Sequence, residues 1–143
     1  MPSINPYLNF NGNTEEAFNF YKSVFGGEFI SVQRFGNTPE SDRVPEAEKN
    51  KLMHISLPIG KGNYIMGTDA LESMGHKVIM GTNIQMSVST DSVEETDKLF
   101  AAMSAGGKVT VSLAKMFWGD YFGMCTDKFG IQWMFSFTDH PHK

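Results

Sequence analysis

The residue best suited to chemistry in this 143-residue chain is His54, the one histidine inside a strand-like run. A neutral imidazole titrates near physiological pH and can act as a general base or a metal ligand. The competing reading is a hydrogen-bonded core histidine. Asp69, in Met-Gly-Thr-Asp-Ala, is either a polar group at a cavity mouth or the cap of the Ala70-Leu71-Glu72-Ser73-Met74 turn that follows it. Asp120 and Asp127, in Trp-Gly-Asp and Thr-Asp-Lys-Phe-Gly, read as turn residues accepting from nearby backbone amides. Phe117, Trp118, Tyr121, Phe122, Trp133 and Phe135 gather late in the chain. As a cavity wall they suit a planar or cationic ligand; as core or interface they only pack. Met53, Met66, Met86, Met124 and Met134 fall on strand-like runs, where soft side chains line an adaptable pocket or fill a core. Cys125, the single cysteine, has no basic neighbour in sequence and reads as an inert buried thiol. His76 reads as solvated, and the terminal His140-Pro141-His142 as a tail that could take up metal only adventitiously.

The elements that must position these residues come as a repeat. Residues 13–32, NTEEAFNFYKSVFGGEFISV, and 92–111, SVEETDKLFAAMSAGGKVTV, share one plan. Each has a small polar residue, a Glu pair, apolar positions at helical spacing, Gly-Gly, and a β-branched strand. Asn13 or Thr14 caps the first helix, and Asp91 or Ser92 the second, with carboxylates in each first turn facing the positive end of the dipole. Strand-like runs precede the helices at Ile4–Phe10 and Asn83–Ser89, and follow them at Glu28–Phe35 and Lys108–Leu113. Hairpins complete each half: Leu52–Ile59 with Tyr64–Thr68, and Tyr121–Thr126 with Ile131–Phe137. Each half is therefore β-α-β-β-β, and the class is α+β. The spacing predicts one domain over 1–143, with module one at 1–70, a linker at 70–82 and module two at 83–138. Asn37–Asn50, polar with two prolines and no periodicity, reads as a mobile loop, either lid or linker. One helix covers one face of each sheet, so the two open faces are expected to enclose a concave cavity.

Composition narrows the partners. Twelve Lys+Arg against sixteen Asp+Glu give a formal charge of −4, the wrong sign for tracking a phosphate backbone, so nucleic acid is not expected. No apolar run approaches the roughly 18 residues of a membrane span, and no basic and apolar leader opens the chain, so no membrane and a cytoplasmic, reducing location are expected. There is no Walker loop, Cys-x-x-Cys, His-Glu-x-x-His or post-strand Gly-x-Gly-x-x-Gly.

The doubled unit, the opening YLNFNGNTEEAFNFYKSVFGGE, the segment MHISLPIGKGNYIMGTDA and the string WGDYFGMCTDKFGIQWMF together resemble the vicinal oxygen chelate superfamily. That superfamily includes glyoxalase I, bleomycin-resistance proteins and extradiol dioxygenases, and the resemblance is narrower to its PhnB-like branch. It implies a glyoxalase-like fold and four cavity positions that hold His, Glu or Gln in the metal enzymes. Carried onto this chain they are Pro6, Met66, Gln85 and Met134. Proline has no side-chain donor, thioethers bind hard divalent ions poorly, and one amide oxygen holds little. A one-residue shift, which exchanges strand faces, offers Tyr7, Ile65, Met86 and Trp133 and does no better. Relatives of this branch often carry a ubiquinone-pathway methyltransferase label, but nothing here resembles a glycine-rich loop for S-adenosylmethionine, so methyl transfer is not expected.

The resulting expectation is a homodimeric small-molecule-binding protein whose cavity is lined by Met66, Gln85, Phe117, Trp118, Tyr121, Trp133 and Met134. No cofactor is expected, although a divalent metal is possible. The alternative is a metal-assisted lyase, isomerase or dioxygenase built around His54, with Gln85 and Asp69 as further ligand candidates. A pure interaction module with a collapsed cavity is the third reading.

Overall fold

A computed structural model describes residues 2–39, 41–60 and 62–139; the terminal His140 and His142 lie outside the described residues. The chain divides into two compact units, Met1–Ile79 and Met80–Lys143. Each holds a four-stranded mixed sheet and one helix, the α+β architecture of glyoxalase-like proteins.

In the first unit, β1 (Tyr7–Phe10), α1 (Thr14–Phe25), β2 (Ser31–Arg34), β3 (Leu52–Ile59) and β4 (Asn63–Asp69) follow in order, and the sheet order is β1-β4-β3-β2. β1 lies parallel to β4; the hairpin β3–β4 and the pair β2–β3 are antiparallel. α1 carries Ala17, Phe18, Tyr21 and Val24 on its buried stripe, as its 3.6-residue spacing requires. The stripe packs on Phe10, Ile55, Leu57 and Ile65, all fully or nearly buried. Gly67 of β4 is where helix and sheet come closest. A Cβ there would stand 2.6 Å from the Phe18 ring, so no larger residue fits without displacing α1.

The second unit repeats the plan with β5 (Met86–Ser89), α2 (Val93–Ser104), β6 (Lys108–Lys115), β7 (Tyr121–Thr126) and β8 (Gln132–Phe137), in the order β5-β8-β7-β6. Phe100 of α2 meets Phe135 edge to face at 6.0 Å, and Trp133, Phe135 and Met103 are buried. Gly123 of β7 mirrors Gly67: a Cβ there would lie 2.9 Å from the Phe100 ring.

Two expectations are corrected. Three of the four strands that flank the helices in sequence are shorter than the runs expected for them, four residues each for β1, β2 and β5, whereas β6 continues past Leu113 to Lys115; Pro6, with no N–H to give a ladder, precedes the first. Within 37–50, short 3-10 turns at Ser41–Arg43 and Glu46–Glu48 follow one at Phe35–Asn37. Val44 between them is buried, and the Gly36 and Phe35 amides donate to the Lys49 and Lys51 carbonyls. Helical periodicity does not register turns this short.

Candidate functional site

Strand pairing sorts the side chains between the helix-covered face and the open face of each sheet. In the first unit Phe10 and Gly67 meet Phe18 of α1. Their neighbours Tyr7, Asn9, Met66 and Thr68, paired as Tyr7–Met66 and Asn9–Thr68, therefore project from the open face. β3 adds His54 and Ser56. Gln33 pairs with His54 and Arg34 with Leu52, so Met53 is an extra residue. That bulge lets both Met53 and His54 face the open side while Leu52 stays buried.

His54 and Tyr7 lie together, with Tyr7 Oη 3.5 Å from His54 Nδ1 and ring centroids 5.8 Å apart. Beyond them, toward the ends of β1 and β4, a cavity of about 690 Å³ is lined by Asn9, Phe35, Met53 and Thr68 on the sheet side. Its other wall is the segment Met74–Val78, which follows the 3-10 turn Glu72–Met74. A second hollow of about 490 Å³ lies on the far side of that segment, between Asn11, Gly12, Glu48, Lys51 and Glu72.

Asp69 lines the larger cavity but does not cap the turn that follows it, and its carboxylate is engaged elsewhere. Its Oδ1 accepts from the Thr14 amide at 3.0 Å and the Thr14 hydroxyl at 2.6 Å, and its Oδ2 from the Leu52 amide at 2.8 Å. It is 4% exposed and caps α1 from a distant strand, in place of the Asn13 side chain, which makes no capping bond. Sequence-local capping rules cannot register a partner 55 positions away.

The second unit places the aromatic candidates differently from one another. Met134 pairs with Ser87 and Met124 on the open face. Gln85 precedes β5 by one residue and, by alternation with Met86 and Ser87, belongs to that face; its Oε1 is buried without a hydrogen-bond partner. Trp133 and Tyr121 project from the other face. Trp133 is 1% exposed and its indole N–H donates to Asp127 Oδ2 at 2.8 Å, while the Tyr121 hydroxyl donates to Asp97 of α2. That carboxylate holds the Tyr121 phenol above its ordinary pKa. Phe117 and Trp118 form the tip of the turn between β6 and β7, 98% and 51% exposed, with Trp118 donating to Asp120. Asp120 also accepts from the Thr138 hydroxyl, so its carboxylate serves side chains rather than backbone amides. Asp127 does bond the amides of its own turn, from Phe129 and Ile131. Cys125 is buried, and desolvation, reinforced by the Asp127 charge, pushes its pKa up to about 11.

Tyr7, Asn9, Phe35 and the 74–78 wall were not singled out as one site by sequence. Tyr7 surfaced only through a one-residue shift, and a bulge or a strap crossing a sheet leaves no periodic trace.

The donor set can be tested against a divalent metal. The open faces bring Tyr7 against Met66 and Ser87 against Met134, both oxygens of Asp69 are engaged by N–H and O–H donors, and among the described residues no three His, Cys, Asp or Glu gather in one place. These residues do not fit a tight oxygen and nitrogen site. Nor does the turn from β1 into α1 fit a nucleotide-type cofactor, because the helix-start amide of Thr14 already binds the Asp69 carboxylate. Among the described residues no helix is long and apolar enough to cross a membrane.

Comparison with known proteins follows the same lines. A family model described as 3-demethylubiquinone-9 3-methyltransferase matches residues 2–136. The chain is similar to protein YjdN of Escherichia coli, 32% identical over 94% of this chain and 93% of that one. It is similar to the solved structure of protein PA1353 from Pseudomonas aeruginosa, at 35% identity and a TM-score of 0.85 over 96% and 98% of the two chains. A glyoxalase/bleomycin resistance protein/dioxygenase family enzyme from Burkholderia phytofirmans shares the fold, at 20% identity and a TM-score of 0.62 over 92% and 96%.

Proposed function

The chain belongs to the 3-demethylubiquinone-9 3-methyltransferase family, the PhnB-like branch of the vicinal oxygen chelate superfamily, and from that premise we propose that it is a small-molecule-binding protein. The observation that carries the reading is the cavity of about 690 Å³ on the open face of the first unit. That volume is within the range of small-ligand sites, and the lining mixes apolar walls with a few polar groups, as such sites do. Phe35, Met53 and Met74 supply the apolar contact, Asn9 and Thr68 the hydrogen bonds. The Tyr7–His54 pair lies farther along the same face and anchors the polar end of a ligand that outgrows the cavity. Met66, paired with Tyr7 on the same open face, extends the ligand-contacting surface. The protein acts as a homodimer through edge strands such as β2 and β6, where Val32 and Val109 stand 45% and 44% exposed.

The test is His54→Ala together with thermal-shift screening of aromatic and carbonyl compounds. A ligand that binds only the native state must raise the melting temperature. The expected result is a variant that keeps its fold and loses affinity for the hits; a large loss of stability with unchanged ligand binding returns His54 to the core. A second reading, a metal-assisted lyase, isomerase or dioxygenase, draws on the open-face position of His54 alone. Elemental analysis of the native protein with a metal add-back titration decides it: near-stoichiometric zinc, nickel, manganese or iron that His54→Ala releases would replace the first reading with the second.

A further inference from the structure

The segment Met74–Val78, a plain linker by composition, is fastened to the first sheet by one side chain. Asn11 Nδ2 donates to the Val78 carbonyl at 2.9 Å and Asn11 Oδ1 accepts from the Val78 amide at 2.8 Å, so the amide imitates a strand neighbour. Gly75 turns the chain into this position with φ of +76°, closed by its amide donating to Glu72. The strap so formed puts His76 and Lys77 on the wall shared by the two hollows.

The two hollows differ in charge. The smaller one balances Lys51 and Lys77 against Glu48 and Glu72, and His76 stands on the wall of both. The larger one has a single carboxylate, Asp69, whose oxygens are taken up by Thr14 and Leu52. Lys77 is its one ammonium group, and among the described residues Lys77 makes no ion pair. Opposite Lys77 stand the apolar side chains Phe35 and Met53 and the hydrogen-bonding pair Asn9 and Thr68. A ligand matched to these groups has an apolar, flat or chain-like body and an anionic head.

We propose that the larger cavity selects small organic carboxylates, with Lys77 as the charge-reading residue and Asn11 as the positioning residue that holds it over the cavity. The inference rests on the reading of this cavity as a ligand site and adds the ligand class to it. An ammonium at the rim of a partly exposed site is screened, so its share is modest, about two- to fivefold in affinity.

The experiment uses the full chain and three probes of one shape, benzoate, benzamide and benzylamine, at millimolar concentration. Ligand-observed NMR reads the binding. Benzoate is expected to bind best, with its advantage over benzamide falling as salt is raised. Lys77→Gln is expected to erase that advantage and leave benzamide unchanged, while Lys98→Gln, on exposed α2, changes neither. Asn11→Ala is expected to weaken benzoate in the same direction with the melting temperature little altered. Equal binding of benzoate and benzamide, or an advantage that survives Lys77→Gln, overturns the carboxylate assignment and leaves the cavity reading standing. Absence of binding by all three probes overturns the cavity reading itself.

Discussion

The two units repeat one plan but secure their helices by opposite means. α2 caps itself: Ser92 Oγ accepts from the Glu95 amide at 3.0 Å, and the Glu95 carboxylate accepts from the Asp91 amide at 2.9 Å, a variant of the capping box made within residues 91–95. α1 has no such cap and relies on Asp69 of β4. In the second unit the buried carboxylate, Asp127, ties its hairpin turn to the Trp133 indole. A repeat thus conserves where a helix must lie without conserving what satisfies its first turn. The first unit has linked its helix, β3 and β4 through one buried charge; the second has kept these jobs separate.

The most direct way to break this contrast is Asp69→Ala. It leaves three buried donors, the Thr14 amide and hydroxyl and the Leu52 amide, without an acceptor, and the expected loss is about 3 kcal/mol or more, read as a lower midpoint in urea. A loss near that of an ordinary helix cap would show that α1 is held by its apolar stripe alone.

In the second unit the corresponding sensitivity is to alkali. Burial pushes the Cys125 thiol up to about 11 in the folded chain from about 9 for an exposed thiol, so the native state holds its proton more tightly than the unfolded chain does. That stabilisation is complete below pH 9 and is lost as pH rises from 9 through 11, at most about 3 kcal/mol. Stability measured across this window should fall more steeply for the native sequence than for Cys125→Ala, and the thiol should resist alkylating reagents until unfolding.

Ser92→Ala, which removes a local cap and nothing else, is expected to cost about 1 kcal/mol. Measured beside Asp69→Ala, it gives the ratio of tertiary to local capping directly. The smallest effect belongs to the surface pair Arg34–Glu15, 2.7 Å apart with Glu15 about half exposed. The Arg34 hydrogen bond holds the Glu15 carboxyl below its ordinary pKa, so its contribution is present above the unfolded value and is lost as pH falls through the folded one. Arg34→Ala should cost no more than about 0.5 kcal/mol at neutral pH, and less at acid pH or high salt.

The same contrast explains what could be read from sequence. Ser92-Val-Glu-Glu95 announces its own helix start, the Gly-Gly pairs announce the helix ends, and apolar runs bounded by turn residues locate β3 and β7. The family resemblance rested on the same strings. Asp69 looked like the start of a turn because its real partners are far off in the chain. Trp133 and Tyr121, read as a cavity wall, project beside α2, because an aromatic on a strand belongs to whichever face the register assigns, and one residue of register exchanges the faces. Met53 and His54 share a face through a bulge that no alternation pattern contains. The strap at 74–78 owes its place to a side-chain amide acting as backbone.

The Thr14–Asp69 link also sets a schedule. As the chain leaves the ribosome, α2 has its cap as soon as residue 95 follows residue 92, whereas the first turn of α1 waits while 55 further positions are made. Closing so long a loop is entropically costly and slow compared with local helix formation. α1 is accordingly expected to stay frayed at its start until β4 has been made and has docked, whereas α2 needs no strand to close its first turn.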